Sequence, residues 1–254
     1  MHEFVVVVEN ESDARHLCEL ADRVFVASSA WIEETHLEHL RKWCGLEPGA
    51  SCTRWTERKR LRDAYKLPRY RRRGSDEPQG FAYAESRMMI ALAKQIQRKR
   101  QIDALVLFKD LDNQPERRDG MLQARAEVNG QIVIVITTPK WKREAWILHG
   151  FECLNQSEEG QLNTVIQKLG FDPRSKAENL HHGTDQDSKI ILDELIQDHP
   201  KGERRFERVQ SCWTETPLET RRERGKATYL SDYLDEVKNF LLLMLDPSSV
   251  HQKD

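Results

Sequence analysis

Glu9 ends an apolar run at residues 4–8 (FVVVV), and Asp110 and Asp112 close another at residues 102–109 (IDALVLFK) in the order KDLDN. The first run is too short for a helix and apolar on both faces, as a buried parallel strand requires. In open α/β sheets, ligands bind outside the carboxyl ends of the strands. If the two runs form neighbouring strands, the three carboxylates meet there, and a cation between them relieves their repulsion. Side chains alternate along a strand, so Asp110 and Asp112 share a direction if the strand runs on that far. Oxygen donors with no Cys or His nearby select Mg2+ or Mn2+ over zinc. Each acid is weak testimony alone, since carboxylates after strands commonly cap helices or form turns. The signal is their joint placement. The chemistry it suits is metal-assisted phosphodiester hydrolysis, with two ions about 3.5–4 Å apart clamping the attacking and leaving oxygens.

A second feature is electrostatic. The net charge is −2, yet residues 54–73 (RWTERKRLRDAYKLPRYRRR) hold ten Lys or Arg against Glu57 and Asp63, a local +8 that leaves −10 elsewhere. Trp55, Tyr65 and Tyr70 are interleaved with these cations, a pattern that suits phosphate contacts combined with base stacking. Arg58, Lys59, Arg60, Arg71, Arg72 and Arg73 are the candidate nucleic-acid contacts. A basic face that keeps the protein soluble, or meets an acidic partner, is the plainer alternative.

Hydrophobic residues make up 38% of the chain and charged residues 32%. The apolar residues come in organised runs, which predicts a folded chain. No stretch of about 18 apolar residues occurs, so no membrane span is expected. The opening MHEFVVVVENE lacks a basic stretch and a small-residue cleavage site, and reads as a first strand, not a signal peptide. Cys18, Cys44, Cys52, Cys153 and Cys212 are scattered, odd in number and without a CxxC pair, which points to a reducing cytoplasm. His36 and His39 are three apart on a helical pattern and could join Cys44 and Cys52 around zinc. That Cys pair has the wrong spacing for a zinc knuckle, and an amphipathic helix with two surface histidines explains the pattern more simply.

These groups need elements to hold them. Residues 4–8 form the first strand, residues 12–22 a helix with Ser12 available as its cap, residues 23–28 (RVFVAS) a second strand and residues 33–43 a second helix. Gly, Pro and charge runs interrupt any period at about residues 45–80, which reads as a basic insertion. A long helix follows at about 84–100, then strands at 102–109 and 131–137 with a helix between them. Helices are expected at 158–169, 187–197 and 231–245. Strands separated by helices imply an α/β fold with a mainly parallel, Rossmann-like sheet flanked by helices. The expected division is a catalytic domain over residues 1–150 and a helical extension over residues 151–254.

The two strand-end motifs resemble those of the Toprim domain, found in topoisomerases, bacterial primases, small ribonucleases and the OLD-family nucleases. Glu9 within VVVVENESD resembles its first motif, and LVLFKDLDN resembles its Asp-x-Asp motif. The match covers roughly residues 4–148. The resemblance implies that Glu9, Asp110 and Asp112 hold Mg2+ (or Mn2+). In the OLD-like branch it further implies metal-binding roles for Asp13, four positions after the glutamate, and for Glu144, shortly before Trp146. It also implies a late catalytic lysine, for which Lys189 in DQDSKIIL is the candidate, with Lys140 and Lys142 as other lysines near the site. The glycine that usually follows the first glutamate is Asn10 here, a residue that tolerates left-handed backbone better than most. The implied protein is a cytoplasmic, magnesium-dependent nuclease, of the kind that serves as an effector in bacterial anti-phage defence. It would act on DNA or RNA and could self-associate. No GxxxxGK[ST] stretch occurs, so ATP-driven control would come from a partner ATPase or another defence-system protein. Two rivals stand beside this reading: a nucleic-acid-binding or scaffold subunit that has lost turnover, and a phosphoacceptor receiver. A receiver places its acidic pair after the first strand and has no use for the basic segment.

Overall fold

The computed structural model describes residues 1–71, 77–128, 130, 132–200 and 202–246. The chain forms two compact units. One comprises the described residues of Met1–Lys109, Gln114–Thr138 and Tyr233–Asp254; the other comprises those of Asp110–Asn113 and Pro139–Asp232. The boundary expected near residue 150 falls inside the second unit. Among the described residues no helix is long and apolar enough to cross a membrane.

The first unit is α/β. Its strands are β1 (His2–Val8), β2 (Arg41–Cys44), β3 (Thr53–Arg54), β4 (Ala104–Phe108) and β5 (Val133–Thr137). The order is β2–β1–β4–β5, every pairing is parallel, and β3 pairs with the last two residues of β1 beyond the end of β2. Parallel strands buried on both faces read as unbroken apolar runs. Accordingly Phe4–Val8 and Ala104–Phe108 are all at most 1% exposed.

Helices cover both faces. On one side, Val5, Val7, Leu105, Leu107, Ile134 and Ile136 form a core with Leu61 of α3 (Arg58–Ala64), Met89 and Leu92 of α4 (Glu77–Gln97) and Met121 of α5 (Glu116–Ala126). On the other side lies α1 (Glu11–Ser28), whose Phe25 ring stacks on Trp43 at 6.3 Å and meets Phe4 at 6.4 Å. The chain closes on this unit: Tyr233 donates its hydroxyl to Leu17 O at 2.8 Å, and the Glu236 carboxylate accepts Ile136 N–H and Arg125 Nη1, each at 2.8 Å.

Two expected elements are corrected. Residues 23–28 are not a strand but the last turns of α1. Leu17, Leu20, Ala21, Val24 and Phe25 are buried at helical spacing, and packing of that stripe outweighs the β-propensity of the valines. Residues 33–43 are not one helix: a 3-10 turn (Glu34–His36) and α2 (Leu37–Leu40) lead directly into β2. The helix after β1 is capped by Asn10, not Ser12; Asn10 has φ −137° and its N–H donates to Asp13 Oδ2 at 2.9 Å.

The second unit is helical, built from α6 (Arg143–His149), α7 (Gln156–Leu169), α8 (Ser188–Leu195), α9 (Glu203–Thr214) and α10 (Leu218–Arg224). Asn155 Oδ1 caps α7 by accepting Glu158 N–H at 3.0 Å, and Gly170 ends it in the left-handed conformation at φ +77°. Its interior centres on Trp146 and Trp213, with the Arg221 guanidinium lying 4.7 Å over the Trp213 ring. Buried Glu158 accepts Arg208 Nε at 2.7 Å and contacts His199 Nε2 at 2.9 Å. Burial alone would raise that carboxyl; the Arg208 and Leu154 donors outweigh it and hold the group below the usual range.

Candidate functional site

In the first unit, β1 and β4 are adjacent and in register through Val7 and Leu107. The carboxyl ends of the two central strands are therefore level, and the chain leaves them at Glu9 and Lys109. Glu9 is half-buried and is followed at once by the cap of α1. Asp13 is 4% exposed and its carboxylate is engaged in that cap, so it fixes where the chain turns after Glu9. The extended φ of Asn10 shows that the turn has no need of a left-handed residue there.

Just past β4, Lys109 donates its N–H to Thr137 O at 3.1 Å. Its ammonium lies 2.9 Å from Glu85 of α4 and 5.0 Å from the centre of the Trp55 ring. Glu85 also takes Arg58 at 2.9 Å. One carboxylate thus gathers two cations beside the strand ends, and neither Lys109 nor Glu85 was singled out by the sequence pattern.

Asp110 and Asp112 lie in the second unit, and the alternation expected of them does not hold. β4 ends at Phe108, Leu111 N–H bonds Pro139 O at 3.1 Å, Asp112 N–H bonds Trp141 O at 2.8 Å, and Asp112 has φ +50°. The segment is a turn docked on residues 139–141, and Asp is one of the few side chains that tolerates such a φ. Asp110 Oδ1 accepts the N–H of Arg143, the first residue of α6, at 3.1 Å, so the start of a helix supports its charge. Glu144 sits in that same first turn, 3.5 Å from Arg143 Nη2.

Around Asp112 the expected all-oxygen surroundings are also corrected, because His182 Nε2 stands 3.8 Å from Asp112 Oδ1. His182 Nδ1 is 3.0 Å from Asp187 Oδ2. The same oxygen accepts Lys142 Nζ at 3.0 Å and Gly183 N–H at 2.8 Å, and Asp187 Oδ1 accepts Lys189 N–H at 3.0 Å. Burial would raise the Asp187 carboxyl, but the Gly183 and Lys189 amides and the Lys142 ammonium pull it down to about 2. Lys189 takes part through its backbone while its side chain is exposed. Lys140 Nζ lies 3.5 Å from Glu178 O. The sequence trace of this cluster is HHGTDQDSK, where His182 precedes the helix-capping Asp187 by five residues. Asp112 and His182 offer one oxygen and one nitrogen donor, a pair that fits a divalent ion. Among the described residues no group of three or more His, Cys, Asp or Glu stands assembled to hold one.

The basic segment is less uniform than its composition. Trp55 is 4% exposed and donates Nε1–H to Phe108 O at 2.6 Å, so it is a core residue and not a stacking platform. Arg60 forms a bidentate pair with Glu47, with Nη1 2.9 Å from Oε1 and Nη2 on Oε2. Arg62 pairs with Asp63. Lys59, Lys66, Arg69 and Arg71 are exposed and have no ion pair among the described residues. Tyr65 packs against the core, and Tyr70 receives the Arg87 guanidinium 5.8 Å from its ring centre. Arg72 and Arg73 lie outside the described residues.

Comparison with family models, with curated proteins and with solved structures finds no match to this chain.

Proposed function

We propose that the protein is a Mg2+- or Mn2+-dependent nuclease of Toprim-like, OLD-family-like type, cutting phosphodiester bonds in DNA or RNA. The observation that carries this reading is that β1 and β4 are adjacent, parallel and level at their carboxyl ends. One is followed by Glu9 and the other by the Asp-x-Asp stretch, as metal-binding strand ends of an open α/β sheet require. A bound divalent ion would supply Lewis-acid polarisation of the phosphate and a more acidic water. The chain's own residues do the rest. Asp110 and Asp112 would hold the ion, Asp13 sets the turn after Glu9, and Lys109 and Arg58 stay paired with Glu85. The exposed cations of residues 59–71 hold the nucleic-acid backbone by charge, which needs no base sequence. An ATPase or other defence-system protein would supply any ATP-driven control.

Cleavage of linear and circular DNA and of single-stranded RNA, with Mg2+, with Mn2+ and with chelator, tests the reading. Cutting that stops with chelator and falls at least about 100-fold in Asp110→Ala and Asp112→Ala is the expected result. Glu9→Gln should behave alike. Wild-type rates in both aspartate variants, with folding intact, would overturn the assignment. Metal-independent nucleic-acid binding without cutting by the wild type would favour the scaffold reading.

A further inference from the structure

His182 is placed as a metal ligand would be. Its Nδ1 faces Asp187 Oδ2 at 3.0 Å, an oxygen that also accepts Lys142 Nζ and Gly183 N–H, in a residue only 4% exposed. A carboxylate oxygen can only accept, so Nδ1 is the donor in this contact and Nε2 is the ring nitrogen turned away from Asp187. Nε2 then faces Asp112 Oδ1 at 3.8 Å, too far for a hydrogen bond. An imidazole nitrogen and a carboxylate oxygen facing each other at that separation are two donor types that a divalent ion can join. Ligands sharing an ion at about 2.1 Å lie about 3.0–3.4 Å apart at right-angled to tetrahedral geometry, so a shift of about half an ångström closes the pair. A carboxylate behind the imidazole is the usual companion of a metal-bound histidine.

We propose that His182 Nε2 and Asp112 together seat a divalent ion in the second unit, with Asp187 as the positioning residue behind the imidazole. Water and a substrate phosphate complete the coordination, as ions bound by few protein ligands require. The nitrogen donor makes the seat prefer a transition ion over Mg2+, and Mn2+ is the paramagnetic probe of that preference. This inference rests on the metal-dependent reading above and narrows its cofactor.

Mn2+ binding to the full chain, followed by electron paramagnetic resonance with Mg2+ as competitor, tests it without any turnover. In the wild type the bound-Mn2+ signal should carry a coupling to one imidazole nitrogen. His182→Ala should lose that coupling and bind Mn2+ at least about tenfold more weakly, with Mg2+ affinity changing far less. Asp187→Asn should weaken Mn2+ binding about 10- to 100-fold, the range for groups that orient a ligand. If His182 merely forms an ion pair with Asp112, its removal frees negative charge and Mn2+ binds as well or better. That outcome, or a wild-type signal without nitrogen coupling, overturns the proposal while Asp112→Ala still reports the metal reading. A wild type that binds no Mn2+ at millimolar concentration overturns both.

Discussion

His149 shows how little of a side chain's role its identity discloses. It ends α6 with no exposure, its Nδ1 2.7 Å from Arg174 O and its Nε2 2.7 Å from Thr228 Oγ1. The carbonyl can only accept, so Nδ1 carries the proton and Nε2 accepts from the hydroxyl. Burial, aided by the nearby Arg221 and Arg224 charges, outweighs the Arg174 carbonyl and lowers its pKa from 6.5 to about 4. The unfolded chain therefore binds the extra proton first as pH falls. The stability from keeping this ring neutral is complete above pH 6.5 and drains away toward pH 4, amounting to about 3 kcal/mol. Urea unfolding at pH 7 and at pH 4.5 should show the stability gap between wild type and His149→Gln shrinking at the lower pH. A constant gap would mean that the folded ring titrates where the unfolded one does, so that burial does not hold it neutral. Strand-end carboxylates were legible at this scale because residue type and position coincide. The partners of Asp112 and Asp187 were not, because His182 lies 70 residues beyond Asp112 and only folding brings them together.

At the scale of elements, the two central strands were legible because burial on both faces leaves an uninterrupted apolar run. The end of α1 was not, since RVFVAS has the local character of a strand and only its place on the 17–20–21–24 stripe makes it helical. Glycine likewise takes its meaning from what packs against it. On α5, a Cβ at Gly120 would meet Gln79 O at 2.1 Å and Tyr83 N at 2.9 Å, both backbone atoms of α4. The two helices touch backbone to backbone there, which only Gly permits. Gly120→Ala should cost about 1–3 kcal/mol or more, the range for over-packing. Gly160 in α7 has nothing within 4 Å of such a Cβ. Gly160→Ala should therefore stabilise by about 0.5–1 kcal/mol through helix propensity and unfolded-state entropy. Chemical denaturation of both variants checks the pair; equal effects would refute the close α4–α5 contact.

For the whole molecule, composition gives the charge but not its disposition. The chain carries −2 overall, so any attraction to nucleic acid must be local, and the +8 of residues 54–73 is the local source. Linear reading treats those ten cations as equal. The fold divides them: Arg58 is drawn to Glu85, Arg60 to Glu47 and Arg62 to Asp63, while Lys59 and Arg71 are exposed without an ion pair among the described residues. A cation already beside a carboxylate releases fewer phosphate counterions, because its charge is partly neutralised before binding. Binding of a labelled duplex in chelator, where no cutting occurs, gives the slope of log affinity against log salt. Each full phosphate contact contributes about 0.9 to its magnitude. Lys59→Gln with Arg71→Gln should lower that magnitude by about 1.8, and Arg60→Gln by clearly less than 0.9. A slope unchanged by the double substitution would make the segment a surface for protein partners. An equal loss for Arg60 and Lys59 would show that the Glu47 pair opens when nucleic acid binds.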